Sequence, residues 1–356
     1  MTTPIKLNPS QLVSDQSSIR GCVLSNVSRK LLPDNQKNST AAKTREIIYD
    51  RGRPVNVAGL QIDNKRLIVQ GHFLTVARLK DEWYDELGDP EPIIAALKRC
   101  RPRPDIFTFW QRLPDTAPIY SYYHEPEALS AIPLKDFEHW WNMQIKSDTR
   151  KKAKRPGNRG IEIKVVPLDD AFVRGVMGVF NETPVRRGRP FWHYGKDFQT
   201  LKAGLSRDLT KSKFIGAYHE GSLVGFVKLV RAEGRFANPG LIVSKLEARK
   251  KYVNNALLAK AVELCCQDQI PYLTYTTWRR GTQAEFLTRH GFQKTLVPRY
   301  WIPLTKKGAI AIKLELHHGI RRRIPDWLMG VLLDMRGRVY ARWYKLNGPE
   351  GDRGLD

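Results

Sequence analysis

The order of predicted strands and helices in residues 161–304 constrains the fold more than any other feature of the sequence. Apolar and β-branched runs bounded by turn residues indicate strands, and apolar residues spaced three and four apart indicate helices. Two helices follow the first strand and two more separate the later strands, which are predicted at 161–166, 213–218, 223–230, 241–246, 272–277 and 295–304. This alternation predicts an α/β fold with a mixed sheet flanked by helices.

Turn and cap residues support these boundaries. His219-Glu220-Gly221-Ser222 predicts the turn of a hairpin, and Gly291 after the helix at 282–290 predicts a left-handed C-cap. Asn254 is available to cap the helix at 254–267. Pro239-Gly240 precedes the strand at 241–246 and predicts an irregularity where that strand begins.

The charge of the chain points to an anionic partner. The 356 residues carry a formal charge of +24 and a pI near 10.0, which suits nucleic acid, a phosphorylated substrate or an acidic membrane surface. The 4 cysteines show no paired spacing, so neither a disulfide framework nor a zinc site is indicated and a reducing, cytoplasmic setting is expected. We expect no secretory signal and no membrane span, so the protein is predicted to be soluble or peripheral at the inner membrane face.

Composition divides the chain into four predicted parts. Residues 1–40 are rich in polar residues and predict a disordered tail. Residues 41–133 predict a small α/β lobe, and residues 134–305 predict the main domain, which opens with a helix at 134–154. Residues 306–356 predict a basic segment whose amphipathic helix, at 324–346, either lies on an anionic membrane or packs on the domain. Within the small lobe we expect a helix at 92–99 and strands at 55–62, 66–77, 105–110 and 119–123.

The loop at 181–194 is dense in ionisable and aromatic side chains, and such loops often face a ligand. Arg186 and Arg187 can fork onto phosphate or carboxylate, and Glu182 or His193 can accept a proton from an attacking amine. An aromatic wall for a pocket is available from Phe191, Trp192 and Tyr194. In the alternative interpretation the aromatic rings anchor the loop on the core and Glu182 pairs with an arginine.

Several segments resemble Fem-type aminoacyl transferases, a branch of the GNAT acyltransferase superfamily. The resemblance rests on Arg150 with its basic run, Gly160-Ile161-Glu162, the segment 182–188, the helix entry 251–258 and the segment 284–292. It implies a GNAT-like domain preceded by an abbreviated GNAT-like lobe. It also implies transfer of an activated acyl group to an amine, with aminoacyl-tRNA as donor and a lipid-linked cell-wall precursor as acceptor.

Two donors remain open in this resemblance. An acyl-CoA enzyme normally holds pyrophosphate on a glycine-rich turn at a helix N-terminus. Residues 249–256 occupy that place without a glycine, although Lys251, Asn254 and Asn255 can still contact phosphate there. We therefore expect either aminoacyl-tRNA or acyl-CoA as the donor substrate, and no other cofactor.

Acyl transfer needs a positioned amine and hydrogen-bond donors aimed at the tetrahedral oxyanion. A backbone N–H of the strand at 241–246 meets the second need if that strand parts from its neighbour. Lys245 and Tyr275 are predicted to orient acceptor or donor, with Tyr275 counted among the catalytic residues alongside Glu182 and His193. His317-His318 lacks further ligand spacing, so no metal site is expected.

The sequence therefore predicts an N-acyltransferase or aminoacyltransferase acting on an amine of a cell-envelope or polysaccharide precursor. Two alternatives stay open: a CoA-dependent N-acetyltransferase, and a nucleic-acid-binding protein without catalytic activity on a degenerate GNAT fold. The last alternative predicts a basic stripe away from the cleft and binding that falls steeply with salt.

Overall fold

The architecture was analysed in a computed structural model of the chain. It describes residues 41–50, 53–85, 87–186, 189–232, 235–278 and 282–318, together with Val331, Met335, Arg338, Val339 and Arg342. The predicted tail at 1–40, Arg187 and most of the predicted helix at 324–346 lie outside the described residues.

A mixed sheet of 12 strands runs through the described residues, in the order β1-β2-β3-β4-β5-β14-β6-β13-β12-β11-β10-β7. The strands β8 and β9 form a separate two-stranded pair. The strands are β1 Ala42–Asp50, β2 Arg53–Ile62, β3 Lys65–Gln70, β4 Val76–Leu79, β5 Ile106–Trp110, β6 His124–Pro133, β7 Ile161–Val166, β8 Val185–Arg186, β9 Arg189–Pro190, β10 Ser212–His219, β11 Ser222–Ala232, β12 Phe236–Ser244, β13 Tyr272–Thr277 and β14 Gln293–Pro303.

Helices flank this sheet, and the predicted mixed α/β class is confirmed. They are α1 Glu91–Arg99, α2 Phe137–His139, α3 Ser147–Lys154, α4 Asp170–Phe180, α5 Phe198–Leu205, α6 Leu246–Lys250, α7 Val253–Gln267, α8 Thr282–Arg289 and α9 Lys306–Lys313. None of the helices among the described residues is long and apolar enough to cross a lipid bilayer.

Alternating side chains of the hairpin strands separate two cores. Ile215 and Val227 pack with one face of α7, whereas Phe214 and Phe226 pack with α4 and α5. Successive strand residues point to opposite faces, so α7 covers one face of this half of the sheet and α4 with α5 covers the other. Asp169 and Asp197 begin the latter two helices, because each carboxylate accepts a backbone N–H of the first turn.

The predicted turns of the main domain are confirmed. β10 and β11 are joined through Glu220 and Gly221, both at positive φ. Such a two-residue turn matches the twist of paired strands. Gly291 ends α8 with a φ of 86°, and the N–H of Phe292 returns to the carbonyl of Leu287 at 3.1 Å. Both turns depend on residues that tolerate the left-handed region.

Two strand predictions in residues 41–133 are wrong, and two strands of this region were not predicted. The predicted strand at 66–77 is two antiparallel strands, β3 and β4. The predicted strand at 119–123 is a loop, in which Tyr120 and Tyr122 pack their rings around Tyr300. The strand that follows, β6, was not predicted, because Pro126 and the glutamates beside it hide the alternation of apolar and polar residues. Pro126 lies opposite Pro298 on β14, so neither residue of this pair has an N–H to donate. The strand β1 was also not predicted.

The predicted helix at 134–154 is interrupted. A π-helical turn at Trp140–Gln144 follows α2, and Lys146 is extended with a ψ of 157° before α3 begins. The guanidinium of Arg150 ends the first segment by donating to the carbonyls of Trp141 at 2.9 Å and Ile145 at 2.7 Å. This arginine therefore satisfies helix-end carbonyls that have no intrahelical partner.

The final strand of the main domain lies between two strands of the small lobe. β14 pairs with β5 on one side and with β6 on the other, both antiparallel. β6 in turn pairs with β13. The predicted lobes at 41–133 and 134–305 thus share one sheet, and their status as separate domains stays a prediction.

Candidate functional site

The site is built on two neighbouring strands that part. β12 and β13 are parallel and share a single bridge, between Ala237 and Leu273. Beyond that bridge β13 continues along β6, and β12 continues along β11. A gap therefore opens between them towards their carboxyl ends, as expected for the strand at 241–246.

Buried polar side chains close the base of this gap. Asn238 donates from Nδ2 to the carbonyl of Tyr275 at 3.0 Å. Thr274 donates from its hydroxyl to the carbonyl of Ala237 at 3.2 Å. The next residue on β12 is Pro239, which has no N–H to leave unpaired where the ladder stops. These contacts substitute for backbone bonds where the strands diverge.

A β-bulge in β12 determines which backbone groups face the gap. The pairing with β11 shifts register between Lys228 and Leu229, opposite Pro239 and Leu241, so Gly240 is the extra residue and the predicted irregularity is present. It lies inside the strand and not at its start, because β12 begins at Phe236 and ends at Ser244, so the predicted bounds of 241–246 are wrong. Farther along, the N–H of Lys245 donates to the carbonyl of Val224 at 2.9 Å, on the β11 side. Because backbone groups of successive strand residues point to alternate sides, the N–H of Ile242 and the carbonyl of Ser244 face away from β11, towards the gap.

The gap opens into a cleft of about 340 Å³. Ile242 and Tyr275 line it from the two parting strands, and Asn254 and Asn255 line it from the first turn of α7. The remaining lining residues come from α3, α6 and α8 and the residues next to them: Thr149, Lys152, Arg249, Tyr252, Glu285, Phe286, Arg289 and His290. Three of the predicted site residues, Tyr275, Asn254 and Asn255, are thus brought together.

The cleft is positively charged. Lys152, Arg249 and Arg289 line it against one carboxylate, Glu285, which lies 4.0 Å from Arg289. The N-terminus of α7 adds to this field, since the first N–H groups of a helix lack intrahelical partners and carry partial positive charge. An anionic group is therefore the ligand that these surroundings favour.

The start of α7 differs from the predicted Asn254 cap. Tyr252 is the N-cap residue, at a φ of 68°, and its side chain makes no capping hydrogen bond. The short helix α6 ends at Lys250 and leaves only two residues for the turn, so Asn254 and Asn255 lie inside the helix. Asn254 Oδ1 is buried with no hydrogen-bond partner among the described residues.

His290 fixes Asn255 at the floor of the cleft. Its Nδ1 lies 2.7 Å from the carbonyl of Phe286, so Nδ1 carries the proton, and Nε2 accepts from Asn255 Nδ2 at 3.0 Å. Burial, together with the nearby Arg289 and Lys152, lowers the pKa of His290 to about 4 against the opposing effect of the hydrogen bond to the Phe286 carbonyl. The imidazole is therefore neutral at neutral pH and holds one orientation of the asparagine amide. Sequence patterns had not singled out this histidine.

Glu182 and Arg186 lie at the carboxyl end of β12. Both oxygens of Glu182 accept the N–H of Leu246, at 2.8 and 2.9 Å. Arg186 donates to the carbonyl of Ser244 at 2.8 Å, to the carbonyl of Val179 at 2.8 Å and to Glu182 at 3.1 Å. Arg186 thus pairs a carbonyl of β12 that has no strand partner on the gap side, and Glu182 accepts the first N–H of α6. We call this arrangement the β12 clasp.

Phe191 and His193 of the same loop pack on Phe180 of α4, whereas Trp192 is exposed. The His193 ring lies 4.2 Å from that of Phe180 and 3.6 Å from that of Trp192, between ring centroids. Burial lowers the pKa of His193 to about 3, with Lys196 and Arg186 adding to the shift. Phe191 lies under the guanidinium of Arg186 at 4.6 Å. These contacts match the alternative in which the rings anchor the loop.

The other predicted site residues lie around the cleft without being among its lining residues. The β12 clasp residues and the rings of 191–194 lie towards α4, and Tyr194 donates its N–H to the carbonyl of Phe191 at 2.8 Å. Lys245 precedes α6 and Lys251 follows it. The roles predicted for Glu182 and His193 in proton transfer stay predictions, and Arg187 lies outside the described residues.

No model of a known protein family matches the sequence, and no curated protein does. Similar solved structures include L-PGS from Bacillus licheniformis, at 12% identity and a TM-score of 0.49 over 77% of this chain and 88% of that chain. FemX is 9% identical, with a TM-score of 0.45 over 73% of this chain and 88% of that chain. A tandem GNAT protein from the clavulanic acid biosynthesis pathway is 12% identical, with a TM-score of 0.40 over 75% of this chain and 84% of that chain. We base the functional assignment on the residues of the cleft.

Proposed function

We propose that this protein is an N-acyltransferase or aminoacyltransferase that joins an activated acyl group to an amine. The observation that carries the proposal is the parting of β12 and β13 beside a cationic cleft at the N-terminus of α7, where strand alternation turns the N–H of Ile242 towards the gap. A preorganised N–H on a fixed strand is suited to the oxyanion of acyl transfer, because it needs no reorganisation when charge develops.

In the proposed mechanism the donor enters the cleft with its phosphate groups towards Arg249, Lys152 and the start of α7. Its carbonyl lies in the gap and accepts the Ile242 N–H as the tetrahedral intermediate forms. A neutral amine attacks that carbon, and the bond to the donor's oxygen or sulfur breaks as the intermediate collapses. The proton that the nitrogen loses passes to this leaving oxygen or sulfur, so that an amide and a free hydroxyl or thiol are formed. Tyr275, at the other wall of the gap, is placed to orient the reacting groups.

The donor proposed first is aminoacyl-tRNA, since the +24 charge of the chain suits a polyanion larger than the cleft. Acyl-CoA is the second candidate, which the helix N-terminus and its neighbouring cations can also hold. The acceptor is proposed to be an amine on a cell-envelope or polysaccharide precursor, reached from the cytoplasmic side of the membrane.

The donor can be identified by thermal stabilisation. A ligand that binds only the folded protein raises the melting temperature by mass action. Melting curves with aminoacyl-tRNA, uncharged tRNA, acetyl-CoA and longer acyl-CoAs separate the candidates. We expect aminoacyl-tRNA to stabilise more than uncharged tRNA. Stabilisation by CoA compounds alone overturns the tRNA assignment, and equal stabilisation by charged and uncharged tRNA without transfer to any amine supports the nucleic-acid-binding alternative.

The substitution Arg249→Ala tests the cleft directly. Loss of one guanidinium that contacts donor phosphate is expected to weaken donor binding roughly tenfold, about 1.4 kcal/mol. The matched control is Lys250→Ala, since Lys250 is the next residue of α6, is exposed and pairs with Glu247 outside the cleft. Fluorescence anisotropy of labelled donor measures both. Equal weakening in the two variants would show that general surface charge, and not this cleft, binds the donor.

A further inference from the structure

We propose that Glu125, His317 and His318 form a binding site for a divalent transition metal, of which zinc is the expected occupant. Their ligand atoms all lie within 4.8 Å of one another. None of the three lines the cleft, so the inference is independent of the proposed acyl transfer.

Both imidazoles turn the same nitrogen towards one carboxylate. His317 Nε2 lies 3.3 Å from Glu125 Oε1, and His318 Nε2 lies 3.0 Å from Oε1 and 2.8 Å from Oε2. The two rings are 4.0 Å apart between centroids. Adjacent residues of an extended chain point apart, but a 3-10 turn at Leu316–His318 brings these two side chains together.

The fold delivers the third ligand from a distant segment. Glu125 lies near the start of β6, and the histidines follow α9, which Thr305 caps after the end of β14. The ring of Trp301 on β14 lies 4.4 Å from His317 and 5.8 Å from His318. The sequence pattern showed only the histidine pair, because 192 residues separate Glu125 from His317.

Burial and orientation favour a metal ligand over a surface ion pair. The His317 side chain is 0% exposed and that of Glu125 is 18% exposed. The His317 nitrogen that faces the Glu125 carboxylate is Nε2. Tyr123 donates its hydroxyl to Glu125 Oε1 at 2.9 Å, which is the kind of outer contact that orients a ligating carboxylate.

Two neutral imidazoles and one carboxylate are the ligand set of borderline divalent ions. Zinc with three protein ligands takes a water molecule as the fourth, in tetrahedral geometry. Cobalt(II) accepts the same nitrogen and oxygen ligands and reports them by its visible absorption. A bound ion would join the turn after α9 to β6. It would therefore fix the chain at residue 318, where the continuously described residues end.

The test is a cobalt(II) titration of tag-free protein followed by visible absorption. We expect visible bands of a nitrogen- and oxygen-ligated ion at one equivalent, displaced by zinc, with no sulfur charge-transfer band that the cysteines would give. His318→Ala and Glu125→Gln are expected to weaken cobalt binding roughly 100-fold or more. The matched control is His139→Ala, because His139 is a half-buried histidine at the end of α2 that is not part of the cluster. Bands of equal strength in Glu125→Gln, or no bands in the unchanged protein, would overturn the site.

A second measurement guards against misfolded variants. Zinc should raise the melting temperature of the unchanged protein and of His139→Ala, and a chelator should reverse the rise. Glu125→Gln should melt at one temperature with and without zinc. If zinc stabilises Glu125→Gln as much as the unchanged protein, the three residues form only an ion pair and the proposal fails.

Discussion

Polar residues at the divergence of β12 and β13 show how single side chains shape the cleft. Asn238 and Thr274 are buried and complete the hydrogen bonds of the last bridged pair. Unsatisfied backbone groups at that depth would cost about 1–3 kcal/mol each. The sequence contains these residues within ordinary strand patterns, so their role could not be predicted. By contrast, the irregularity at Pro239-Gly240 could be predicted, because proline restricts the backbone and glycine frees it in known ways.

His290 makes stability depend on pH in a calculable direction. Its pKa is about 4 in the folded protein, against an ordinary value of 6.5. Between these values the unfolded chain binds a proton that the folded protein does not, so stability falls as pH drops through the window from 6.5 to 4. The contribution of this one group amounts to about 2 kcal/mol between pH 7 and pH 5.

We therefore predict that His290→Gln loses less stability on acidification than the unchanged protein. The glutamine does not titrate, so the fall between pH 7 and pH 5 should shrink by about 2 kcal/mol. His193 acts in the same direction and remains in both proteins. Urea unfolding at the two pH values measures the difference, with His72→Gln as an exposed control. An unchanged pH dependence in His290→Gln would contradict the predicted protonation.

At the scale of elements, β12 and α6 depend on the β12 clasp. The carbonyl of Ser244 and the N–H of Leu246 lie where a strand ends and a helix begins, and neither has a strand partner on the gap side. Arg186 and Glu182 supply those partners from the preceding loop. From the sequence, Glu182 and Arg186 were predicted to lie in a loop that faces a ligand. The alternative prediction, in which Glu182 pairs with an arginine, describes the contact that forms.

Arg186→Leu is expected to destabilise the protein by about 2–4 kcal/mol. It leaves the carbonyls of Ser244 and Val179 unpaired and Glu182 without its cation, and such losses are costly in half-buried surroundings. Arg159→Leu is the control, because Arg159 is exposed. Urea unfolding measures both variants. A loss below about 0.5 kcal/mol in Arg186→Leu, as for ordinary surface substitutions, would mean that water replaces the clasp.

Periodicity succeeded for some elements and failed for others. The hairpin β10–β11, α7 and α8 have apolar spacing that local physics determines, and each was found close to its observed bounds. β6 and the π-helical turn were missed, since proline pairing and the capping by Arg150 involve partners distant along the chain or unusual in kind. The cleft was expected at the correct strands, but its cations came from α3, α6 and α8, whose arrangement only the assembled sheet fixes.

At the scale of the molecule, the central strands join segments from both ends of the described chain. β13 shares one bridge with β12, and its other partner is β6; β14 lies between β6 and β5. A fragment that begins at residue 134 therefore removes both partners of β14. Edge exposure of this kind leaves a row of unpaired backbone groups.

We predict that residues 134–356 do not fold alone, whereas residues 41–356 unfold in one cooperative transition. Circular dichroism with urea measures both fragments. The longer fragment is the control, because it keeps every strand of the sheet and removes only residues 1–40. A cooperative transition in the shorter fragment would show that the main domain is complete without β5 and β6.

The position of β14 also sets the order of events during synthesis. Ile106 on β5 pairs with Pro303, and roughly 200 residues of chain separate them. At about 5–20 residues per second, a ribosome needs roughly 10–40 s to make the intervening polypeptide. During that time the edges of β5 and β6 that face each other lack β14, the strand that pairs with both of them. The nascent chain therefore exposes unpaired backbone groups on these two strands until β14 has left the exit tunnel.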